Sequence, residues 1–314
     1  MSKYLVFGHQ NPDTDTIASA IAMNDYLNQL GYESEAVALG IPNDETQFML
    51  DYFNLNAPRV VETVSNEVEA VALVDHNESQ QSVSDLKNVR VDFVIDHHKI
   101  GDFETDHPMY LRIEPVGCTA TILYKLFNEK NLTISKQVAG VMVSAIISDT
   151  LLFKSPTCTQ EDIDTANHLA KIAEIELEKY GLEFLRAGTN VTSRSDSDIL
   201  NADAKVFEMG AKTVRIGQVN VIGFDEILAR KEALLSLLEQ ERQDNELAVS
   251  ILVVTDILEN DSIGFVVGDG IEGVQTAFNQ KVINNQFDLP GVVSRKTQIV
   301  PQLTQALSQD SLNN

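Results

Sequence analysis

Short apolar runs alternate with helix-period segments through the first half of the chain. Tyr4-Leu5-Val6-Phe7 is the first run, and it feeds a polar turn, Gly8-His9-Gln10-Asn11-Pro12-Asp13-Thr14-Asp15. A helical pattern follows from Ile17 to Leu30 and stops at Gly31. Ala36-Val37-Ala38-Leu39 predicts a second strand. Asp44-Glu45-Thr46-Gln47 predicts the start of a helix through Phe48, Leu50 and Phe53, with Asp44 and Gln47 spaced as a capping box. Val60-Val61 is a short strand candidate. Val71-Ala72-Leu73-Val74 is a buried strand ending at Asp75-His76-Asn77, and residues 91–95 form another ending at Asp96-His97-His98. Leu111-Arg112-Ile113 fits an edge strand. Near-continuous apolar strands separated by helices are the signature of a parallel sheet covered on both sides. Four helices are expected next, over 119–128, 136–147, 160–175 and 177–185. The second is rich in small residues (Ala139, Gly140, Ser144, Ala145), which suits deep packing, and it ends at Ser148-Asp149-Thr150.

The character changes at Gly188. Residues 188–196 are polar with no apolar period, which predicts a loop or linker. Beyond it, strands are expected at 205–207, 218–224, 249–254 and 264–267, with one long helix over 226–243. Asp288-Leu289-Pro290-Gly291 turns into Val292-Val293-Ser294-Arg295-Lys296, where Arg295-Lys296 by itself reads as a solvated strand end. The expected architecture is α/β: an N-terminal parallel-sheet domain with helices on both faces (1–188), a hinge linker (189–195) and a smaller C-terminal α/β domain with a mixed sheet (196–314). A length of 314 residues agrees with two domains.

Composition narrows the chemistry. Apolar residues make up 43% of the chain, enough for sizeable cores, but 47 acidic residues face 23 basic ones. A net charge of -24 argues against a nucleic-acid binder, which needs a basic face. An anionic substrate would need metal ions or a local basic cluster. The spacing of Cys118 and Cys158 matches no zinc or redox motif, so two free thiols are expected. Leu5-Val6-Phe7 is too short for a secretory leader, and no stretch approaches a membrane span. A cytoplasmic protein with no membrane partner is expected.

Four element ends carry the same chemistry: His9 with Asp13 and Asp15, then Asp75, then Asp96-His97-His98, then Asp149. Asp13 also suits the role of a helix cap. If the three strands are parallel neighbours, their carboxyl ends lie along one rim, where α/β sheets bind ligands. These side chains are too many for one metal. Carboxylates and imidazoles without thiolate suit manganese, magnesium, cobalt or iron better than a structural zinc. Two such ions about 3.5–4 Å apart are typical of phosphoryl-transfer sites, where a shared water becomes the attacking hydroxide. The residues point to a metal-dependent phosphohydrolase.

The set GHxNPDxD, VDH, DHH and SDT resembles the DHH phosphoesterase superfamily. Ser294-Arg295-Lys296 and the smaller second domain narrow the resemblance to family II, manganese-dependent inorganic pyrophosphatases. That resemblance covers essentially the whole chain. It implies that His9, Asp13, Asp75 and Asp149 hold one manganese, and Asp15, Asp75, His97 and Asp149 the other. Cobalt or magnesium would be substitutes. Asp75 and Asp149 would bridge the ions. His98 would face the substrate as phosphate donor or proton source, with Asp96 orienting an imidazole and His76 outside the ligand set. Lys205, Arg295 and Lys296 would grip pyrophosphate, carried in as a magnesium or manganese complex. The implied reaction is in-line attack by a metal-bridging hydroxide between two domains, with closure at the linker excluding water. The family also implies a homodimer through the N-terminal domain. Alternatives within the superfamily are an exopolyphosphatase and a nuclease of very short oligonucleotides. Gly268-Asp269-Gly270 only faintly echoes the nuclease glycine motif, and Ser-Arg-Lys opposes it. A retired metal-holding protein is a further alternative, opposed by the intact ligand set.

Overall fold

β-branched and aliphatic runs leave no polar side for water, so strands built from them must be buried on both faces. In the computed structural model, which describes residues 3–189, 191–201 and 203–310, β4 (Ala70–Val74) is buried at every position. It lies inside a six-stranded sheet with β1 (Lys3–Phe7), β2 (Glu33–Ala38), β3 (Arg59–Val60), β5 (Arg90–Asp96) and β6 (Tyr110–Ile113). The order is β3-β2-β1-β4-β5-β6, and every pairing is parallel. β6 is an edge strand, as its mixed pattern predicts.

Both faces are covered, by different means. One face receives α1 (Thr14–Gln29) and α3 (Thr119–Glu129), with α2 (Asp44–Tyr52), α4 (Lys136–Thr150) and α5 (Gln160–Ala173) packed outside them. The other face carries Leu5, Phe7, Val71, Leu73 and Val94. It packs on Val61, Val64, Val68, Val83 and Leu86 from connecting segments with short 3-10 turns, rather than on α-helices.

Helix ends depart from the sequence reading in three places. The N-cap of α2 is Asn43, whose side chain accepts from the Thr46 amide at 2.8 Å, so Asp44 and Gln47 do not form the cap. A capping box does open α5, from Thr159 and Asp162. α4 runs on to Thr150, which places Asp149 in its last turn instead of beyond it. α6 (Leu177–Thr189) continues through Gly188, so the polar segment begins as helix.

Small residues let α4 sit deep. A Cβ on Gly140 would come within 2.4–2.5 Å of the Phe53 ring. That ring is 5% exposed and hemmed in by Tyr52 and Tyr180, so it has nowhere to withdraw. Overpacking costs about 1–3 kcal/mol, against a helix-propensity gain of roughly 1 kcal/mol for Gly→Ala. Gly140→Ala is therefore expected to destabilise the protein, read as a lower urea midpoint. An unchanged or higher midpoint would mean that this packing is loose.

The chain divides into two compact units, Met1–Gly188 and Thr189–Asn314. The second unit holds a five-stranded sheet in the order β11-β10-β9-β8-β7, built from β7 (Ala204–Met209), β8 (Lys212–Val221), β9 (Val249–Asp256), β10 (Asp261–Gly268) and β11 (Gln286–Leu289). Only β8 and β9 run parallel, so the sheet is mixed. Alternate residues of β9 feed two cores. Leu252 and Val254 face the core containing Leu234 and Leu238, while Val249, Ile251 and Val253 face the core containing Leu303 and Leu307. The helices are α7 (Asp196–Asn201), α8 (Asp225–Ala229), α9 (Lys231–Asp244), α10 (Ile271–Phe278) and α11 (Val300–Asp310). The single long helix expected over 226–243 is thus two, broken at Arg230. No helix among the described residues is long and apolar enough to cross a membrane.

Candidate metal centre

Three parallel strands of the first unit end side by side. β1, β4 and β5 are neighbours, and the strand order reverses at the β1–β4 pair. Connections leave such a point in opposite directions and open a crevice beyond the carboxyl ends. His9 follows β1, Asp75 directly follows β4, and Asp96 ends β5 ahead of His97 and His98.

Asp13 is placed for both roles open to it. It is the N-cap of α1, its Oδ1 accepting from the Thr16 amide at 3.0 Å. Its Oδ2 lies 3.4 Å from His9 Nε2. Asp15, in the first turn of α1, is buried. Its carboxylate accepts from Ser19 Oγ at 2.7 Å and from the Thr119 amide at the start of α3, also at 2.7 Å.

Asp75 occupies the middle. Its backbone is left-handed, with φ of 59°, a conformation that aspartate tolerates better than most residues. Oδ2 accepts from Thr16 Oγ1 at 2.8 Å and lies 3.4 Å from His9 Nε2. Oδ1 accepts from Thr119 Oγ1 at 3.2 Å and lies 3.4 Å from His97 Nε2. Each of these histidines has its other nitrogen committed. His9 Nδ1 donates to the Gln10 carbonyl at 2.8 Å, and His97 Nδ1 to the Val116 carbonyl at 3.1 Å. A carbonyl only accepts, so Nδ1 carries a proton, and Nε2 is left as the nitrogen that faces the carboxylates and would take a metal.

Asp149 arrives from the last turn of α4. Its Oδ2 is 3.8 Å from His97 Nε2, is buried, and has no hydrogen-bond partner. Buried polar atoms are normally satisfied, so an orphan among ligand-type side chains calls for an ion. Ligand atoms lie within 4.8 Å of one another in three sets: His9, Asp13 and Asp75; Asp15, His97 and Asp149; and Asp75, His97 and His98.

The electrostatics agree. Burial and the Asp75 charge raise Asp15 to about 7. Burial, then the charges of Asp15, Asp75 and Asp13, push Asp149 well above the usual carboxylate range. At His9 burial works against the imidazolium, but Asp13 and Asp75 outweigh it and lift the group to about 11. Carboxylates crowded in this way lack positive charge, and two divalent cations would supply it. Cys118 is buried nearby, and burial with Asp15 and Asp149 keeps it a neutral thiol. The donor set is nitrogen and oxygen, which fits manganese-type ions.

His98 is held differently. Its amide and its Nδ1 both donate to Asp96 Oδ1, at 3.0 and 2.9 Å. Asp96 thus orients His98. His76 belongs to none of the three ligand sets. Its Nδ1 donates to the Val74 carbonyl, and its ring packs near Phe7.

In the second unit Lys205 is exposed on the edge strand β7. Ser294-Arg295-Lys296 is not a strand end. Ser294 caps a π-helical turn, Arg295–Ile299, that leads into α11. Gln218 and Gln298 hold the start of this turn by hydrogen bonds to the Val293, Ser294 and Arg295 backbone. Lys296 projects into solvent, whereas Arg295 is 8% exposed. The Arg295 guanidinium donates to the Asp203 and Ile216 carbonyls and pairs with the Asp203 carboxylate at 2.8 Å.

The sequence reading assigned no role to Thr16, Thr119 or Asn77. Asn77 directly follows Asp75-His76, and that adjacency was a usable signal. Thr119 had none, because it meets Asp15 and Asp75 only through the tertiary fold.

Comparison with known proteins places this geometry. The DHH family N-terminal domain matches residues 3–146, and the DHHA2 domain matches 182–306. The fold and site are therefore those of a DHH-family protein with an appended DHHA2 unit. The chain is 55% identical over 308 residues to a probable manganese-dependent inorganic pyrophosphatase of Enterococcus faecalis, covering 98% of this chain and 100% of that one. It is 51% identical over 309 residues to the manganese-dependent inorganic pyrophosphatase of Bacillus subtilis, with the same coverage. A crystal structure from Methanococcus jannaschii, assigned to the family II inorganic pyrophosphatases, is 39% identical with a TM-score of 0.61, covering 97% of this chain and 99% of that one. An exopolyphosphatase-related protein of Bacteroides fragilis, 15% identical with a TM-score of 0.52, covers 99% and 93% and shares the fold alone. The chain belongs to the manganese-dependent inorganic pyrophosphatase family.

Proposed function

We propose that this protein hydrolyses inorganic pyrophosphate to two orthophosphates at a pair of manganese ions. The observation that carries the reading is Asp75, whose two oxygens each lie 3.4 Å from a different ligand histidine. One carboxylate can thereby serve two ions. His9, Asp13, Asp75 and Asp149 would hold one ion, and Asp15, Asp75, His97 and Asp149 the other. Bound there, the ions supply Lewis acidity for the phosphoryl oxygens and a water nucleophile at neutral pH.

The chain's own groups do the rest. Thr16 and Thr119 hold the Asp75 carboxylate, and Ser19 with the Thr119 amide holds Asp15. With Nδ1 committed to Asp96, His98 has Nε2 left to donate a hydrogen bond or proton to the leaving phosphate. Lys205 and Lys296 would neutralise phosphate charge that a protein of net charge -24 otherwise repels. Arg295 would act with the donors that Asp203 and Ile216 leave free. The substrate would enter as a magnesium or manganese complex.

Phosphate release tests the reading. Pyrophosphate should be cleaved in preference to tripolyphosphate and to a dinucleotide. Chelation should abolish activity, and manganese or cobalt should restore it better than zinc, because the ligands include no thiolate. Full activity in a metal-stripped, chelator-treated sample would end this proposal.

A further inference from the structure

We propose that Asn77 is a positioning residue for His98, acting through Asp96; this rests on the reading of His98 as the imidazole that faces the substrate. Asn77 is 2% exposed. Its Nδ2 donates to Asp96 Oδ2 at 2.6 Å and to the Lys99 carbonyl at 2.9 Å, and its Oδ1 accepts from the Gly101 amide at 2.7 Å. All three bonds reach the segment that carries His97 and His98. Asp96 is fully buried, and its other oxygen, Oδ1, takes the amide and Nδ1 of His98. One side of the carboxylate therefore holds the imidazole, and Asn77 holds the other side.

The geometry gives this clamp a purpose beyond stapling a loop. His98 Nδ1 is only 3.6 Å from Asp75 Oδ1, and Asp75, His97 and His98 can bring ligand atoms within 4.8 Å of one another. His98 is thus within reach of becoming a metal ligand. A nitrogen that carries a proton has no lone pair to give. By committing the Nδ1 proton to Asp96, the clamp reserves the ring for the substrate, on a side chain that is 53% exposed. An aspartate free to rotate would release that nitrogen. The Asn77 amide, with both of its ends tied, prevents the rotation.

Steady-state kinetics of manganese-loaded Asn77→Ala, His98→Gln and the double variant test this, with manganese content and thermal unfolding measured on the same samples. Asn77→Ala is expected to lower kcat about 10- to 100-fold while KM changes less than about threefold, because a positioned proton-transferring group is worth roughly 10²–10⁴-fold and Asn77 acts on it at one remove. In the His98→Gln background the same substitution should cost less than about threefold, since both changes then remove one interaction. A merely structural Asn77 would lose the same factor in both backgrounds, and that result overturns the proposal. Unchanged kcat, or manganese lost from Asn77→Ala, does so too. Wild-type turnover in His98→Gln alone would remove the role of His98 and this inference with it, a failure read on the single variant. If Asn77→Ala does not fold, Asp96→Asn replaces it. That change leaves one acceptor oxygen for the donors of Asn77 and of His98, so the carboxylate no longer joins the two, while Asn77 keeps Lys99 and Gly101. The same non-additive pattern is required of it.

Discussion

Asp75→Asn is expected to lose nearly all pyrophosphate hydrolysis and most of its bound manganese, yet to fold. The carboxylate stands between both histidine-containing ligand sets, with one oxygen toward His9 and the other toward His97. An amide replaces one of those anionic oxygens with a donor, so one ion loses its ligand and both lose the shared charge. The fold should survive, because the hydroxyls of Thr16 and Thr119 that now donate to Asp75 can also accept. The left-handed backbone is no obstacle, since asparagine adopts it as readily as aspartate. Elemental analysis beside steady-state kinetics decides the matter. Wild-type manganese content with normal turnover would show that Asp75 is not shared.

Lys296→Ala should leave metals and fold intact and cut turnover a hundred- to thousandfold. Lys296 is exposed and makes no ion pair or side-chain hydrogen bond among the described residues, so its removal costs the folded state little. What would be lost is charge aimed at the bridging bond as it breaks. One such donor in a site closed to water is worth roughly 3–4 kcal/mol. Its neighbour is predicted to behave otherwise. Arg295 is tied to Asp203 and two carbonyls, so Arg295→Lys gives up a fixed planar fork as well as charge, and part of its loss should appear as instability of the second unit. Wild-type kinetics in Lys296→Ala would remove the second unit from catalysis and return the protein to an unspecified phosphoesterase.

The ligand chemistry was legible because it is local. His9, Asp75 and His97 each stand at the end of an apolar run, and a run of that kind between helical segments predicts a buried parallel strand. Parallel strands put their carboxyl ends on one side, so the rim followed from the pattern together with the motifs. Strands of the second unit were also visible, as the apolar runs at 249–254 and 264–267. The short helices α7, α10 and α11 were not, and Ser294-Arg295-Lys296 looked like strand because Val292-Val293 precedes it. There the cap on Ser294 and the grip of Gln218, far away in sequence, decide the conformation.

By itself the sequence determined which groups can bind metal, on which strand ends they sit, and through its motifs the family. The tertiary structure alone decided how those groups divide. It brings Thr119 to Asp15 across 104 residues and Asn77 to Asp96 across 19. It leaves Asp149 Oδ2 without a partner, and it commits Arg295 to its own unit. The reason is physical. Periodicity and capping act within a few residues, so they can be seen in the chain. Which carboxylate takes which hydroxyl is settled only when helices pack on the sheet, where most buried polar atoms find a partner and few are within reach.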